Sequence, residues 1–309
     1  MNILLLGFAF VLPYHVMRCA VAAGHRVTVL GNGPAHELLR SPSCADLYLS
    51  DFDYRSQDYR ILIQEIAHLS IVAGFDMLMP SDDVSTRALA AIKEEIPLPS
   101  TSVPPVEIFD MLNDATRFVW FCAEHGIPVS RDRHDETFGV TALCKQGDVV
   151  AHIVEKSSKR QFRIDEKPEL VATVARLVEA SHFDGILRCD AVIDRATGIS
   201  HLTGCRPYFP QSIHQTMIAG LNLADAIINS AHGGSPPQST LSPRTIKLYP
   251  ASIWSLATSW RFSCDDRQML RYHGRERELL RRRIDDSDVF VRTAQESAPP
   301  AARLASEIP

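Results

Sequence analysis

The chain has 309 residues, of which 45% are apolar and 22% are charged, and its formal net charge is −5. These values are typical of a globular protein with room for two domains, and they exclude a collagen-like or largely disordered chain. The weak net charge favours neither nucleic acid nor an anionic membrane as a partner. No apolar run approaches the roughly 20 residues that a membrane span needs. Seven cysteines without C-x-x-C spacing, and an amino terminus without a basic start, predict free thiols and a cytoplasmic protein.

The first hundred residues alternate between strand and helix patterns. Apolar runs predict strands at residues 2–8, 26–30, 47–49 and 77–80. Helices are predicted at residues 13–23 and 57–73, and a third helix begins after Ser81. This alternation is typical of a doubly wound parallel sheet. The first turn contains one glycine, Gly7, and no G-x-G-x-x-G motif, so we expect neither NAD nor flavin.

Two carboxylates follow the fourth predicted strand. Ser81 is predicted to cap the next helix, with Asp82 and Asp83 in its first turn, where negative charge complements the helix dipole. The same position, at the end of a strand, suits side chains that face a substrate cleft. A solvated helix end and a substrate site therefore both remain open for these two residues.

The middle of the chain predicts two helices between Pro104 and His125, a hairpin over residues 140–154 and helices at residues 166–181 and 213–231. Lys145 lies at the turn of that hairpin, and Lys156 begins a basic run just after it. Either lysine could contact a phosphate group, and the alternative is a solvated charged loop.

Residues 183–212 predict a strand, a turn, a second strand and a loop. The first strand carries Asp190, the turn contains Gly198, and the second strand ends before Pro207. Strict alternation along the second strand would place His201 and Cys205 on one side of the sheet. These two residues and His214 form a loose set without a fourth ligand, so zinc is not expected.

This hairpin resembles the catalytic hairpin of the ATP-grasp superfamily, which includes carbamoyl-phosphate synthase and biotin carboxylase. In those enzymes the first strand carries an acid and the second ends in Glu-x-Asn-Pro-Arg, and the acids and the Asn hold magnesium ions that bridge ATP phosphates. Asp190 matches the first acid and Pro207 matches the Pro. Gly204, Arg206 and Tyr208 stand where the family has Glu, Asn and Arg.

The resemblance implies a domain organisation. It predicts a Rossmann-like pre-ATP-grasp α/β domain with a doubly wound parallel sheet, followed by a truncated ATP-grasp α+β domain. The predicted boundaries are residues 1–103 for the first domain, 104–234 for the second with a reduced lid at about 130–165, 235–296 for a C-terminal extension and 297–309 for a disordered tail.

The resemblance also assigns roles to residues. It implies a catalytic role for Asp190 and Arg206, a metal site reduced to Asp190, and ATP contacts from Lys145, Lys156 and Asp190. The substrate-binding residues it implies are Asp82, Asp83 and Tyr208. ATP and magnesium follow from the resemblance alone, and the replaced ligands argue against them.

The family reaction activates a carboxylate as an acyl phosphate with Mg-ATP, and an amine then displaces the phosphate to form a C–N bond. With the Glu and Asn ligands replaced, we expect a protein that is degenerate as a ligase and binds a small molecule or a partner protein, with a homo-oligomer also open. The alternatives are a divergent, active carboxylate–amine ligase and a new enzyme that uses the cleft without ATP.

The most specific of these expectations concerns Arg206. Asp190 and Arg206 belong to neighbouring strands, so we predict that the guanidinium either pairs with Asp190 or reaches into the site that the metal ion would occupy, and acts as a fixed cation. The alternative is that Arg206 points into solvent beyond the end of the strand.

Overall fold

The computed structural model describes residues 1–55, 58–130, 137–158, 161–194, 197–234, 242–248, 264–281 and 291–293. The chain divides into two compact units, one formed by Met1–Thr101 with Arg283–Pro309 and the other by Ser102–Arg282. The sequence placed this boundary two residues later, at 103/104. The predicted disordered tail at 297–309 lies outside the described residues.

The elements of both units follow in chain order. The strands are β1 (Asn2–Leu6), β2 (Arg26–Gly31), β3 (Asp46–Leu49), β4 (Met77–Pro80), β5 (Phe138–Lys145), β6 (Asp148–Ser157), β7 (Gln161–Asp165), β8 (Gly185–Ile193), β9 (Ser200–Arg206), β10 (Arg244–Lys247) and β11 (Val291–Thr293). The helices are α1 (Val11–Ala22), α2 (Arg60–Ala73), α3 (Asp83–Ile92), α4 (Val106–Asn113), α5 (Ala115–Glu124), α6 (Pro168–Ser181), α7 (Ile213–Ile218), α8 (Leu223–Ala231) and α9 (Cys264–Arg281).

The first unit is built on a parallel sheet with the strand order β11-β3-β2-β1-β4. In β1, residues 3–6 are completely buried, because strands of a parallel sheet are covered on both faces and therefore form continuous apolar runs. The doubly wound parallel sheet predicted from the alternating pattern is confirmed.

The second unit contains a six-stranded sheet with the order β10-β7-β6-β5-β8-β9. In this sheet β5 pairs with β6 on one side and with β8 on the other, both antiparallel. Gly139 of β5 therefore lies opposite both Glu155 and Asp190. Because directly paired residues share a face, Glu155, Arg188 and Asp190 define one side of this sheet, the polar face. Phe138, which neighbours Gly139, lies on the other side, the helix face.

The helix face carries the core of the second unit. Val140 and Cys189 are completely buried there, and they pack in one apolar cluster with residues of α4, α5 and α6 such as Leu112, Phe118 and Leu170. The sequence predicted α6 correctly from its amphipathic stripe. It predicted one helix at 213–231, but Gly220, at φ 102°, divides that segment into α7 and α8.

A β-bulge interrupts the pairing of β8 with β9. Asp190 pairs with Gly204, whereas the next residue, Ala191, pairs with Leu202, so Thr203 is an extra residue in β9. The bulge lets Leu202 and Cys205 both join the core of the helix face. The strict alternation predicted for this strand is therefore wrong, because a bulge reverses the side to which each following residue points.

The segment predicted as a reduced lid, at about 130–165, contains β5, β6 and β7. The hairpin of β5 and β6 forms the middle of the six-stranded sheet, with β7 beside it, and a lid role stays a prediction. The predicted extension at 235–296 is not separate where the structure describes it, since β10 pairs with β7 and β11 pairs with β3. None of the described helices is long and apolar enough to cross a membrane.

Candidate functional site

Asp190 lies between two guanidinium groups on the polar face. Nη2 of Arg206, on β9, is 3.2 Å from Oδ2 of Asp190. Nε of Arg188, two residues away on the same strand, donates a hydrogen bond of 3.3 Å to Oδ1. The pairing of Arg206 with Asp190 that the sequence predicted is therefore present, and the second arginine engages the other carboxylate oxygen.

Arg188 continues the network inward to Glu155 on β6. Its Nη1 donates to Oε1 of Glu155 and lies 3.0 Å from Oγ of Ser212. Ser212, just before α7, also lies 2.9 Å from each carboxylate oxygen of Glu155. Burial raises the pKa of Glu155, while Arg188 and Ser212 act in the opposite direction. The buried acid is thus partnered on both oxygens.

Two glycines shape the space around this network. A Cβ atom at Gly139 would lie 2.4 Å from Nη2 of Arg188 and 3.1 Å from Cγ of Glu155. The guanidinium therefore lies flat across a position that only glycine leaves open. Gly204, opposite Asp190, differs: a Cβ atom there would have nothing within 4 Å. The space beside Asp190 on the β9 side is open.

The four charged side chains form a gradient of exposure. The side chain of Glu155 is fully buried and that of Arg188 is 15% exposed, whereas Asp190 is 26% and Arg206 is 50% exposed. The two acids and two bases are formally neutral together. The inner pair is fixed by burial, and the outer pair can meet a solute from solvent.

These donors do not fit the magnesium clamp that the resemblance implies. Magnesium takes oxygen ligands, chiefly carboxylates, but both oxygens of Asp190 face guanidinium groups and both oxygens of Glu155 accept hydrogen bonds. Within the described residues, no group of three or more His, Cys, Asp or Glu side chains could hold a metal ion. The bulge places His201 and Cys205 on opposite faces, so this pair could not share zinc.

The two lysines predicted to contact ATP lie elsewhere. Lys145 is at the far end of β5, six residues and therefore about 20 Å from Gly139, and its Nζ lies 3.4 Å from the carbonyl oxygen of Ser230. Lys156 neighbours Glu155 and so points to the helix face, where its Nζ is 5.7 Å from the centroid of the Phe138 ring. The structure therefore does not bring these lysines together with Asp190.

In the first unit, Asp82 accepts hydrogen bonds from backbone N–H groups of two segments. It caps α3 by accepting from the backbone N–H of Ser85 at 2.8 Å, so the cap is Asp82 rather than Ser81. Its other oxygen accepts from the N–H groups of Phe8 at 2.7 Å and Ala9 at 2.9 Å. These loop amides follow β1, where a dinucleotide-binding sheet receives pyrophosphate. Asp82 is 2% exposed, and its substrate role stays a prediction.

The other two predicted substrate residues are less constrained. Asp83 is exposed in the first turn of α3, and Tyr208 is partly buried two residues after β9. Asp83 belongs to the first unit and Tyr208 to the second. Their roles also stay predictions.

Sequence reasoning missed four residues of the network: Gly139, Glu155, Arg188 and Ser212. Arg188 had a usable signal, because Arg-Cys-Asp in an apolar strand places two charged residues on one face. Glu155 also stands at the end of an apolar run. Ser212 had none, since its partner Glu155 is 57 residues away in the chain.

Comparisons with known structures identify related folds. N5-carboxyaminoimidazole synthetase from Staphylococcus aureus matches 79% of this chain and 81% of its own, with a TM-score of 0.57 and 14% identity. L-amino acid ligase from Bacillus licheniformis matches 79% of this chain and 78% of its own, with a TM-score of 0.56 and 13% identity. Pyruvate carboxylase from Rhizobium etli matches 75% of this chain but only 27% of its own, with a TM-score of 0.53 and 15% identity. No protein-family model matches the sequence, and no curated protein is significantly similar to it.

Proposed function

Because this chain has the ATP-grasp fold but carries arginines around the acid of its central hairpin, we propose that it binds a small oxyanion without a metal ion and is degenerate as a ligase. The observation that carries the proposal is the position of Asp190 between Arg188 and Arg206. Guanidinium groups there supply the positive charge that magnesium supplies in the ligases.

The outer guanidinium is suited to a ligand. Arg206 is half exposed, and its contact with Asp190 uses Nη2, which leaves further N–H groups of its planar fork for a carboxylate or phosphate. Such a pair can be bidentate, and charge-assisted hydrogen bonds of this kind are about twice as strong as neutral ones. Asp190 would orient the fork, and the open space at Gly204 would admit the anion.

The use of arginines in place of magnesium would also remove ligase chemistry. Metal ions in phosphoryl transfer neutralise charge on the transferring group, and removing one preorganised electrostatic partner costs about 3–4 kcal/mol of transition-state stabilisation. The fixed arginines cannot bridge two phosphates and then leave with the product, as magnesium does. The protein would therefore hold its ligand rather than turn it over, which suits a binding or regulatory role in the cytoplasm.

A divergent ATP-dependent carboxylate–amine ligase is the second candidate. The half-exposed contact between Arg206 and Asp190 favours it, because a side chain that is 50% exposed can swing away and leave Asp190 to an incoming ion. In that case the protein would form a C–N bond through an acyl phosphate, as the resemblance implies.

Calorimetry separates the two candidates. The protein is titrated with Mg-ATP, with ATP in the presence of EDTA, and with inorganic phosphate. We expect no magnesium-dependent binding, and we expect any anion that binds to lose at least tenfold affinity in Arg206→Ala. Arg117→Ala, an exposed arginine on α5, is the matched control. A micromolar dissociation constant that requires magnesium would favour the ligase instead.

A double variant tests whether the hairpin of β8 and β9 is a metal site that has lost its ligands. Gly204→Glu together with Arg206→Asn would restore the residue types that the family has at these positions. The open space at Gly204 can accept the new side chain. We expect magnesium to bind this double variant and not the natural protein, and no gain of binding would argue against a lost metal site.

A further inference from the structure

A cavity lies in the unit formed by Ser102–Arg282, beside β6 and the first turns of α6. Its volume is about 810 Å³, and its walls include His152, Val154, Lys167, Val171 and Ala172. This volume falls in the range of pockets that hold small molecules. It is not part of the arginine network described above.

The strand register shows which parts of the sheet line this cavity. His152 pairs with Ala142 and Val154 pairs with Val140, which places both on the helix face. Glu155 and Asp190 both lie opposite Gly139, on the polar face. Ile153 and Ile164 also line the cavity from polar-face positions at the edge of β6 and β7. Because Val171 and Ala172 of α6 belong to the wall, a ligand would contact both the edge of the sheet and α6.

A gap in the sheet explains why the cavity exists. β6 begins at Asp148, but β7 pairs with it only from Val154 onward, where Asp165 is the last residue of β7. The chain then turns into α6, so among the described residues no strand continues along β6 at His152. Neighbouring strands lie about 4.8 Å apart, so the absence of a strand leaves a space of about that width beside β6. Helix α6 covers this space on one side of the sheet.

The walls of the cavity combine apolar surface with a lysine, Lys167. Val154, Val171 and Ala172 contribute apolar groups. Burial lowers the pKa of His152, so this imidazole is neutral near pH 7. Lys167 supplies an ammonium group that has no ion pair among the described residues.

Lys167 and Lys156 both lie close to the ring of Phe138. Nζ of Lys167 is 5.9 Å from the Phe138 ring centroid, and Nζ of Lys156 is 5.7 Å from the same centroid, so two ammonium groups flank one ring. The wall contains two acids, Asp165 and Glu166. Asp165 is paired with Arg163 at 2.5 Å, and Glu166 is exposed to solvent, where screening weakens its effect on Lys167.

We infer that this cavity is a binding site for a small amphipathic acid, whose apolar chain lies along Val154 and α6 and whose carboxylate meets Lys167. Charge complementarity sets the orientation, because Lys167 offers an ammonium group to the carboxylate while Val154, Val171 and Ala172 offer apolar surface to the chain. The inference is independent of the oxyanion site at Arg206, since the cavity is lined by none of the residues Glu155, Arg188, Asp190 and Arg206.

Calorimetry with hexanoate, octanoate and the neutral 1-octanol tests the inference on the full chain. Burying one more methylene group strengthens binding roughly fourfold, so octanoate, with two more methylenes, should bind about fifteenfold tighter than hexanoate. Octanoate should also bind several-fold tighter than 1-octanol, because the alcohol lacks the charge that Lys167 recognises. Absence of saturable octanoate binding, or equal affinity for acid and alcohol, would overturn the proposal.

Variants locate the site. Ala172→Trp places an indole in the cavity from an exposed helix position and should weaken octanoate at least tenfold, whereas Ala123→Trp, also at an exposed position on a helix, should not. Lys167→Met should abolish the preference for acid over alcohol, whereas Lys145→Met should keep it. Arg206→Ala should bind octanoate like the natural protein. Unchanged binding in Ala172→Trp, or a loss in Arg206→Ala, would place the acid elsewhere and refute the site.

Discussion

The hydroxyl of Ser212 lies 2.9 Å from both carboxylate oxygens of Glu155, across 57 residues of sequence. Ser212 stands at the capping position of α7, yet its hydroxyl makes no capping hydrogen bond to that helix. The side chain is instead committed to a fully buried acid on β6. This contact connects the start of α7 to the middle of the sheet.

Replacing Ser212 by Ala should destabilise the protein. Among the described residues, the variant leaves buried Glu155 with Arg188 as its remaining side-chain partner, and leaving a buried polar group under-satisfied costs about 1–3 kcal/mol. Urea unfolding at pH 7 measures the change. Ser181→Ala is the matched control, because among the described residues its buried hydroxyl contacts backbone carbonyls of its own helix, those of Leu177 and Val178, and no charged group. Equal losses in the two variants would contradict the role given to Ser212.

Adding one methyl group at two glycines should have opposite effects. Gly139→Ala would place Cβ 2.4 Å from Nη2 of Arg188, so the guanidinium must move, and overpacking of this kind costs about 1–3 kcal/mol. Gly204→Ala meets nothing within 4 Å and reduces the entropy of the unfolded chain, so it should be neutral or stabilise by up to about 1 kcal/mol. Thermal unfolding of both variants provides the comparison. A stable Gly139→Ala would mean that Arg188 is not held against β5.

The pH dependence of stability should carry the signature of Glu155. Burial raises its pKa above the ordinary value of 4.5, so the folded state binds this proton more tightly than the unfolded state does. The resulting stability is fully present below about pH 4.5 and is lost as pH rises through the raised pKa. The free energy of unfolding of the natural protein, relative to that of Glu155→Gln, should therefore fall as pH rises from 4.5 to 7.

Urea unfolding at several pH values tests this sign. Glu124→Gln, at an exposed position of α5, serves as the control for loss of a negative charge. A difference between the natural protein and Glu155→Gln that stays constant across this range would show that the pKa of Glu155 is the same in the folded and unfolded states.

Thiol reactivity should follow burial. Burial raises the pKa of Cys19 and of Cys44 from 9.0 to about 12, so about one thiolate in ten thousand is present at pH 8 and alkylation is slow. Cys264 is exposed. Peptide mapping after brief treatment with iodoacetamide should find Cys264 modified and Cys19 and Cys44 intact, with all three modified after unfolding. Early modification of Cys19 would contradict its buried position.

How far the sequence predicts this protein depends on whether the information is local. The parallel sheet and the pairing of Asp190 with Arg206 follow from short apolar runs and from two strands joined by one turn. The position of the β5–β6 hairpin does not, because its own sequence specifies a hairpin but not its neighbours. Its pairing with β8 joins residues about 40–50 positions apart, such as Gly139 and Asp190.

The network around Arg188 was missed for a related reason. Hydrophobic periodicity identifies which positions are buried, and it treats a charged residue in an apolar run as an exception. Glu155 is such an exception, and its burial makes sense only once Arg188 and Ser212 arrive from other segments. Lys145 is a different case, because the distance along β5 from Lys145 to Gly139, which lies opposite Asp190, exceeds the reach of a lysine side chain.

The extra residue Thr203 has a consequence for how β9 can change. Leu202, Gly204 and Arg206 share one parity in the sequence, yet Leu202 belongs to the apolar core while Gly204 and Arg206 belong to the polar face. The alternation of side chains after the bulge is therefore shifted by one residue relative to the alternation before it. Residues on the polar face can be replaced without disturbing the core, but the number of residues in β9 cannot change. Deleting Thr203 would remove the shift, so that either Leu202 leaves the core or Arg206 turns away from Asp190.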